Sequence, residues 1–226
     1  MQESVSAVAR SVQDSDDQVI GRVLAGDREA YGILMSRHNQ RLYRVARALM
    51  GDAAEAEDVV QESWVRAFQQ LIHLTERSHF RAWVTRVAVN EALGRRRQRL
   101  RRELLSDSEV EMTSDDDDPE AHTARRELRP VLEAAVSALP DLLRAVFMLR
   151  EVEGMPVAEV AELLGVQEAT VKTRAFSARE ILRSRHSDWS DAAIPELFSF
   201  AGDRCARITR RVLERLDSVH AATLRH

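Results

Sequence analysis

The sequence predicts an all-α protein with two helical domains joined by an acidic linker. Apolar residues return every three or four positions almost throughout, and no stretch of five residues alternates convincingly between apolar and polar. The 226 residues are 44% apolar and 31% charged, which suits one large or two small globular domains. No run of about 18 uncharged apolar residues occurs and the N-terminal segment lacks a signal-peptide core, so we expect a cytosolic chain without a membrane-spanning helix.

The first domain is predicted to cover residues 18–105, behind a flexible N-terminus at residues 1–17. Its expected helices are Val19–Ala25, Arg28–Met50, Ala53–Ile72 and Phe80–Leu93, the last of which runs into an arginine block. Gly26 and Gly51 follow two of these helices directly. Glycine adopts the left-handed conformation that ends many helices, so both positions are expected to be helix stops.

The remaining segments differ sharply in charge. Residues 95–102 hold six arginines, whereas residues 107–120 hold eight acidic residues and no basic one. The acidic stretch has almost nothing to bury, which predicts a flexible linker at residues 106–126. A second helical domain is expected at 127–185, followed by a C-terminal extension, 186–226, in which Arg204–Leu216 forms an amphipathic helix.

A helix-turn-helix is predicted within the second domain. Pro156 suits the first position of a short helix, Gly165 suits its end, and a second helix restarts near Glu168. The apolar stripe of the second helix consists of Val171, Ala175, Ala178 and Leu182. Its opposite face carries Lys172, Thr173 and Phe176, which could reach base edges in a DNA major groove. A plain helical hairpin with a solvated face would give the same periodicity, although exposed Phe176 argues against it.

These segments resemble a bacterial RNA polymerase sigma factor of the extracytoplasmic-function (ECF) type, in the sigma-70 family. The first domain resembles region 2 in Asp52–Trp64 and Phe80–Asn90. The second domain resembles region 4 in Ala138–Phe147, Leu149–Met155, Val157–Ala161, Thr170–Arg174 and Ala178–Glu180. The resemblance implies a non-catalytic specificity subunit that binds core RNA polymerase through the coiled coil of the largest subunit and the flap, recognises two promoter elements and helps to open the duplex.

The resemblance assigns core-polymerase binding to Asp58, Gln61 and Glu62. These residues lie at i, i+3 and i+4, so they share one helix face, apart from the apolar stripe that includes Val60 and Trp64. An acidic face suits a basic partner. A merely solvated face is the alternative reading of the same pattern.

Recognition and melting of the −10 element are carried over to Asn90, which matches a residue lining the pocket for a flipped base. Arg95, Arg96 and Arg97 follow on the same helix and are expected to contact phosphates. Phe80 and Trp83 fit the core better than base stacking. The loop 75–79 lacks the glycine common in the family, so the selected base cannot be inferred.

Recognition of the −35 element is carried over to six residues of the second helix of the helix-turn-helix: Thr170, Lys172, Thr173, Arg174, Phe176 and Ser177. Ser177 stands where arginine is frequent in the family. A hydroxyl cannot make the bidentate guanine contact of an arginine, a difference of about 1–3 kcal/mol at one base pair. The resemblance therefore leaves the promoter sequence open.

The partners implied are core polymerase, promoter DNA and an anti-sigma factor, which can hold such a protein at the inner membrane. No metal, cofactor, catalytic residue or small-molecule substrate is expected, because the sequence shows no metal-ligand spacing and no phosphate loop. The alternative function is a stand-alone helix-turn-helix regulator that binds duplex DNA without polymerase. The acidic linker is either a nucleic-acid mimic or a spacer. The C-terminal extension either packs on the second domain through Trp189, Leu197, Phe198 and Phe200 or modulates polymerase or regulator binding.

Overall fold

The computed structural model describes residues 14–105, 125–185, 198 and 202–223, and within these ranges every regular element is helical. The α-helices are α1 (Asp16–Leu24), α2 (Glu29–Met50), α3 (Ala53–Gln70), α4 (Phe80–Leu105), α5 (Arg125–Ser137), α6 (Asp141–Phe147), α7 (Val157–Leu164), α8 (Glu168–Arg185) and α9 (Gly202–Thr223). The predicted all-α class is confirmed. None of these helices is long and apolar enough to cross a membrane. The acidic stretch 107–120 lies outside the described residues.

The first domain packs α1 to α4 around one apolar core. Tyr31 and Trp64 are fully buried there, and the Tyr31 hydroxyl donates a 2.8 Å hydrogen bond to the main-chain oxygen of Trp64. Gly51 has a φ of +79° and ends α2, as its position predicts. Helix α1 begins at Asp16, three residues before the predicted start, because Ser15 and Gln18 form a capping box.

The second domain contains the helix-turn-helix at α7 and α8. Gly165 has a φ of +65° and ends α7, as predicted. Pro156 has a ψ of 148°, so it is the N-cap residue and α7 begins one residue later than predicted. The π-helical turn Met148–Val152 and a short irregular segment that includes Gly154, with a φ of +64°, lead from α6 into α7. The apolar face of α8 is buried, as expected from its spacing.

Helix α9 packs against α2 and α3 of the first domain. Ile208, Val212 and Leu216 belong to the apolar core of the first domain. Phe198 is the part of the extension that does meet the second domain, where its main-chain nitrogen donates a 2.6 Å hydrogen bond to Glu133. Trp189, Leu197 and Phe200, predicted to pack there too, lie outside the described residues.

Polar contacts fasten the two domains to each other. Arg144 of α6 is 3% exposed, and its guanidinium donates hydrogen bonds to the oxygens of Ala48 (2.9 Å) and Leu49 (3.4 Å) at the end of α2. The last carbonyls of a helix have no partner within the helix, so Arg144 caps α2 from the other domain. Burial lowers the pKa of Arg144 to about 10, which leaves it charged at neutral pH. Two turns earlier on α2, Arg41 lies 3.1 Å from the carboxylate of Glu153.

Candidate protein-binding and DNA-binding surfaces

The acidic face of α3 carries the three residues predicted to bind polymerase. Asp58 is exposed, whereas Gln61 and Glu62 are half-buried. Trp64 and Val60, on the apolar stripe, are fully buried, so the structure separates the two faces as their spacing predicts. Asp58, Gln61 and Glu62 therefore lie side by side at the surface of the first domain.

Glu62 is held by two arginines from different helices. Arg66 lies one turn further along α3, with its Nε 3.1 Å from the carboxylate, and Arg215 reaches over from α9 to a distance of 2.8 Å. Burial alone would raise the pKa of Glu62, but the hydrogen bonds and charges of Arg66 and Arg215 outweigh it and leave the pKa below its usual value. Glu62 is thus ionised at neutral pH, and its carboxylate is already paired with Arg66 and Arg215.

The four residues predicted to act on the −10 element are all on α4, but they are not equally accessible. Asn90 and Arg97 are exposed. Arg95 donates a 2.7 Å hydrogen bond to Glu91, one turn earlier. Arg96 pairs with Asp141 of the second domain and also donates to the oxygen of Leu49 at 2.9 Å. In this arrangement of the domains, Asn90 and Arg97 are available for DNA, and Arg96 is committed to the interface between domains.

The loop before α4 faces helix α7 across a cavity of about 270 Å³. Its lining includes loop residues Glu76 and His79, the side chain of Trp83, and Glu159 and Glu162 of α7. Arg86 of α4 crosses the gap to Glu162 at 2.7 Å. Phe80 is fully buried and Trp83 half-buried, which agrees with their assignment to the core.

Helix α8 presents the predicted DNA-reading face to solvent. Lys172 and Thr173 are exposed, and Phe176 is 63% exposed, an unusual position for an aromatic side chain with an apolar stripe buried behind it. The Thr173 hydroxyl donates a 2.9 Å hydrogen bond to the oxygen of Ala169, which leaves its lone pairs free to accept.

The other three predicted residues of α8 are less accessible. Thr170, Arg174 and Ser177 are half-buried at the edge of the face, and one terminal nitrogen of Arg174 is buried with no hydrogen-bond partner. The structure thus places all six predicted residues on one side of α8, with three of them fully presented. Arg179, a further phosphate candidate on this helix, instead pairs with Glu151 at 2.5 Å.

Sequence reasoning missed one charged cluster beside the acidic face of α3. Glu57 precedes Asp58 but is nearly buried, and its carboxylate receives Arg204 at 2.9 Å and Arg207 at 2.6 Å, both from α9. Burial would raise the pKa of Glu57, yet the hydrogen bonds and charges of these two arginines hold it below its usual value. The available signal was the i, i+3 spacing of Arg204 and Arg207 beside the apolar stripe of α9, but no pattern tells which helix that stripe meets.

Comparison with known proteins identifies the family of this chain. Residues 34–102 match the family model for sigma-70 region 2, and residues 130–182 match the model for sigma-70 region 4. The RNA polymerase sigma-H factor of Pseudomonas aeruginosa is 30% identical over 179 residues, which cover 75% of this chain and 93% of the relative. The ECF RNA polymerase sigma factor SigW of Bacillus subtilis is 27% identical over 75% of this chain and 95% of its own length. The chain belongs to the sigma-70 family of RNA polymerase sigma factors, in its ECF group.

Solved structures agree with this assignment. CnrH, in complex with the cytosolic domain of CnrY, aligns with a TM-score of 0.56 and 26% identity over 78% of this chain and all of the CnrH chain. The sigma factor RpoE of Bartonella quintana, in complex with the anti-sigma factor NepR, shares the fold with a TM-score of 0.55 at 23% identity, over 63% of this chain and 88% of the RpoE chain. As a sigma factor, the protein directs RNA polymerase to promoters, and a stand-alone DNA-binding regulator is not favoured.

Proposed function

We propose that the first domain binds core polymerase through Asp58, Gln61 and Glu62 on α3. The coiled coil of the largest polymerase subunit is the expected partner, with the flap engaging the second domain. Asp58 supports the proposal because it is exposed beside the buried stripe of α3 and its carboxylate makes no ion pair within 4 Å in the described structure. A surface carboxylate of this kind steers and orients a basic partner.

We propose that promoter recognition is divided between α4 and α8. Asn90 would hold an unpaired base of the −10 element, and Arg95, Arg96 and Arg97 would contact phosphates, Arg96 after leaving Asp141. Helix α8 would enter the major groove of the −35 element. The observation that carries this proposal is the exposed face of Lys172, Thr173 and Phe176 on a helix whose opposite face is buried, because a purely solvated face has no use for an exposed Phe.

The remaining features of the proposal follow from family membership. The protein works in the cytoplasm as a regulator without catalytic activity, and an anti-sigma factor holds it inactive until a signal arrives. Residues 18–105 and 127–185 are the proposed functional domains, and the matched segments 34–102 and 130–182 fall within them. The acidic linker between them separates the two DNA-reading surfaces.

Run-off transcription with purified core polymerase and a library of genomic promoter fragments tests this function. Transcripts that appear only with the protein are expected, and their start sites locate both promoter elements. Asp58→Arg should abolish core binding and transcription, because it reverses the charge of the exposed carboxylate, while Gln69→Arg, on an exposed position of the same helix, should not. Duplex binding without core, together with a failure to support any transcript, would favour the stand-alone regulator.

A further inference from the structure

Helix α9 buries a continuous apolar stripe on the first domain. Ile208 is 0% exposed, Val212 1% and Leu216 6%, and these residues are spaced four apart, so they follow one side of the helix for two turns. Removal of such side chains from water favours the docked position of the helix. Helix α9 is therefore a docked part of this fold, although it lies beyond both segments matched by the family models.

Polar contacts fix the register of α9 on the same surface. The amide nitrogen of Asn39 in α2 donates hydrogen bonds to Cys205 and Thr209, each at 3.3 Å. Its amide oxygen accepts a 2.7 Å bond from the Trp64 indole nitrogen. Asn39 is fully buried, so a shift of α9 along its axis would leave an unpaired polar group in the core.

The arginines of α9 are directed at the acidic side of α3. Glu57 accepts hydrogen bonds from Arg207 through both carboxylate oxygens, at 2.6 and 3.1 Å, and another from Arg204. Arg204 also lies over the ring of Tyr43, 4.6 Å from its centroid. Arg215, two turns after Arg207, pairs with Glu62 at 2.8 Å. Arg210 and Arg211 of α9 are exposed, and neither forms an ion pair with α3 in the described structure.

We propose that α9 covers the polymerase-binding face of α3 in the free protein and must leave that face before core polymerase binds. The proposal rests on the assignment of Asp58, Gln61 and Glu62 to polymerase binding. Two observations lead to it. The Glu62 carboxylate cannot pair with Arg215 and with a basic polymerase group in the same geometry, and the body of α9 lies along α3 where a partner helix would have to approach.

Because α9 covers this face, the free protein has a lower affinity for core polymerase than it would have with α9 released. When a binding-competent state is a fraction of the population, the apparent Kd rises by the inverse of that fraction. If α9 is undocked about one-tenth of the time, its release strengthens core binding about tenfold.

The single cysteine of the chain reports directly on α9. Cys205 is half-buried and faces Asn39, so alkylation of its thiol should be slow while α9 is docked. The first measurement compares the alkylation rate of Cys205 in the free full-length chain and in its complex with core polymerase, read on the Cys205 peptide by mass spectrometry. We expect the rate to rise about tenfold on binding. A chain that binds core with Cys205 as protected as before would overturn the proposal.

A pair of double variants gives an independent test with equal changes in charge. Arg207→Glu with Arg215→Glu removes two of the ion pairs to α3, while Arg210→Glu with Arg211→Glu changes two exposed arginines of α9 that form no ion pair with α3 in the described structure. The first variant should bind core about tenfold more tightly than the second. Equal affinities would overturn the proposal. Loss of core binding in Asp58→Arg tests the polymerase assignment separately, so a failure there is distinguishable from a failure of the α9 proposal.

Discussion

Replacement of Arg144 by methionine is the sharpest test of how the two domains are held together. The side chain is 4% exposed, and its guanidinium donates to Leu139 within its own domain at 2.6 Å and to Ala48 of α2 at 2.9 Å. Methionine fills much of the same volume with no donor. Arg144→Met therefore removes the cap of α2 and leaves the apolar packing nearly unchanged.

The expected cost comes from the two carbonyl oxygens that lose their donor. A buried acceptor left without a partner costs about 1–3 kcal/mol, so the pair costs about 4 kcal/mol. The oxygen of Leu49 does not add to this, because Arg96 still donates to it at 2.9 Å. Removal of a buried guanidinium returns part of the cost, since its desolvation penalty also disappears. A net loss of about 3 kcal/mol in the free energy of unfolding is expected.

Urea unfolding followed by circular dichroism measures this loss. In a chain of this size, about 3 kcal/mol also corresponds to a fall in Tm of roughly 6–12 °C. Arg210→Met is the matched control, because Arg210 is exposed on α9 and its replacement should change stability by less than about 0.5 kcal/mol. If Arg144→Met loses no more than the control, the guanidinium does not stabilise the contact between the domains.

Two further predictions concern DNA opening and acid. Asn90→Ala should impair promoter opening, detected by permanganate footprinting, more than initial binding of holoenzyme to duplex, because Asn90 is exposed on α4 and would act only on an unpaired base. An equal loss of both steps would place it in a structural role. Acid should release α9, because the pKa values of Glu57 and Glu62 are lowered in the fold. The stabilisation from these two carboxylates is complete above their ordinary pKa near 4.5 and is lost as the pH falls through the lowered values. Faster reaction of Cys205 with a dipyridyl disulfide, a reagent that still attacks thiols in acid, relative to a cysteine peptide at the same pH would show this release, and the increase should be smaller in the Glu57→Gln protein.

The elements of this fold could be predicted from sequence because local signals mark them. Gly51 and Gly165 adopt the left-handed conformation expected of helix stops, and the spacing of apolar residues in α8 predicted its buried face. The predicted start of α1 was late because apolar periodicity marks only the first apolar residue, Val19. The helix itself begins earlier, where the side chain of Ser15 caps it. The exposed residues of α8 were predictable for the same reason as its core, since they are the complement of the buried stripe.

The same local signals do not predict contacts between segments that are distant in the sequence. The amphipathic pattern of α9 predicts that the helix buries one side, but Ile208 would suit any apolar groove, and the packing of α9 on α2 and α3 depends on the buried Asn39 and on Glu57. Arg96 gives a second example. Its place in an arginine block gives no sign that the fold pairs it with Asp141, 45 residues further along the chain.

The cap that Arg144 places on α2 also affects which substitutions the chain can accept. Its acceptors are main-chain oxygens, at Ala48, Leu49 and Leu139, and a carbonyl is present whatever side chain stands at a position. Substitutions at those three buried sites are limited by the volume and polarity that the core accepts, and none of them can delete the acceptor. The contact therefore requires one particular side chain, the arginine at position 144. The residues that supply the acceptor oxygens can change without a compensating change at Arg144.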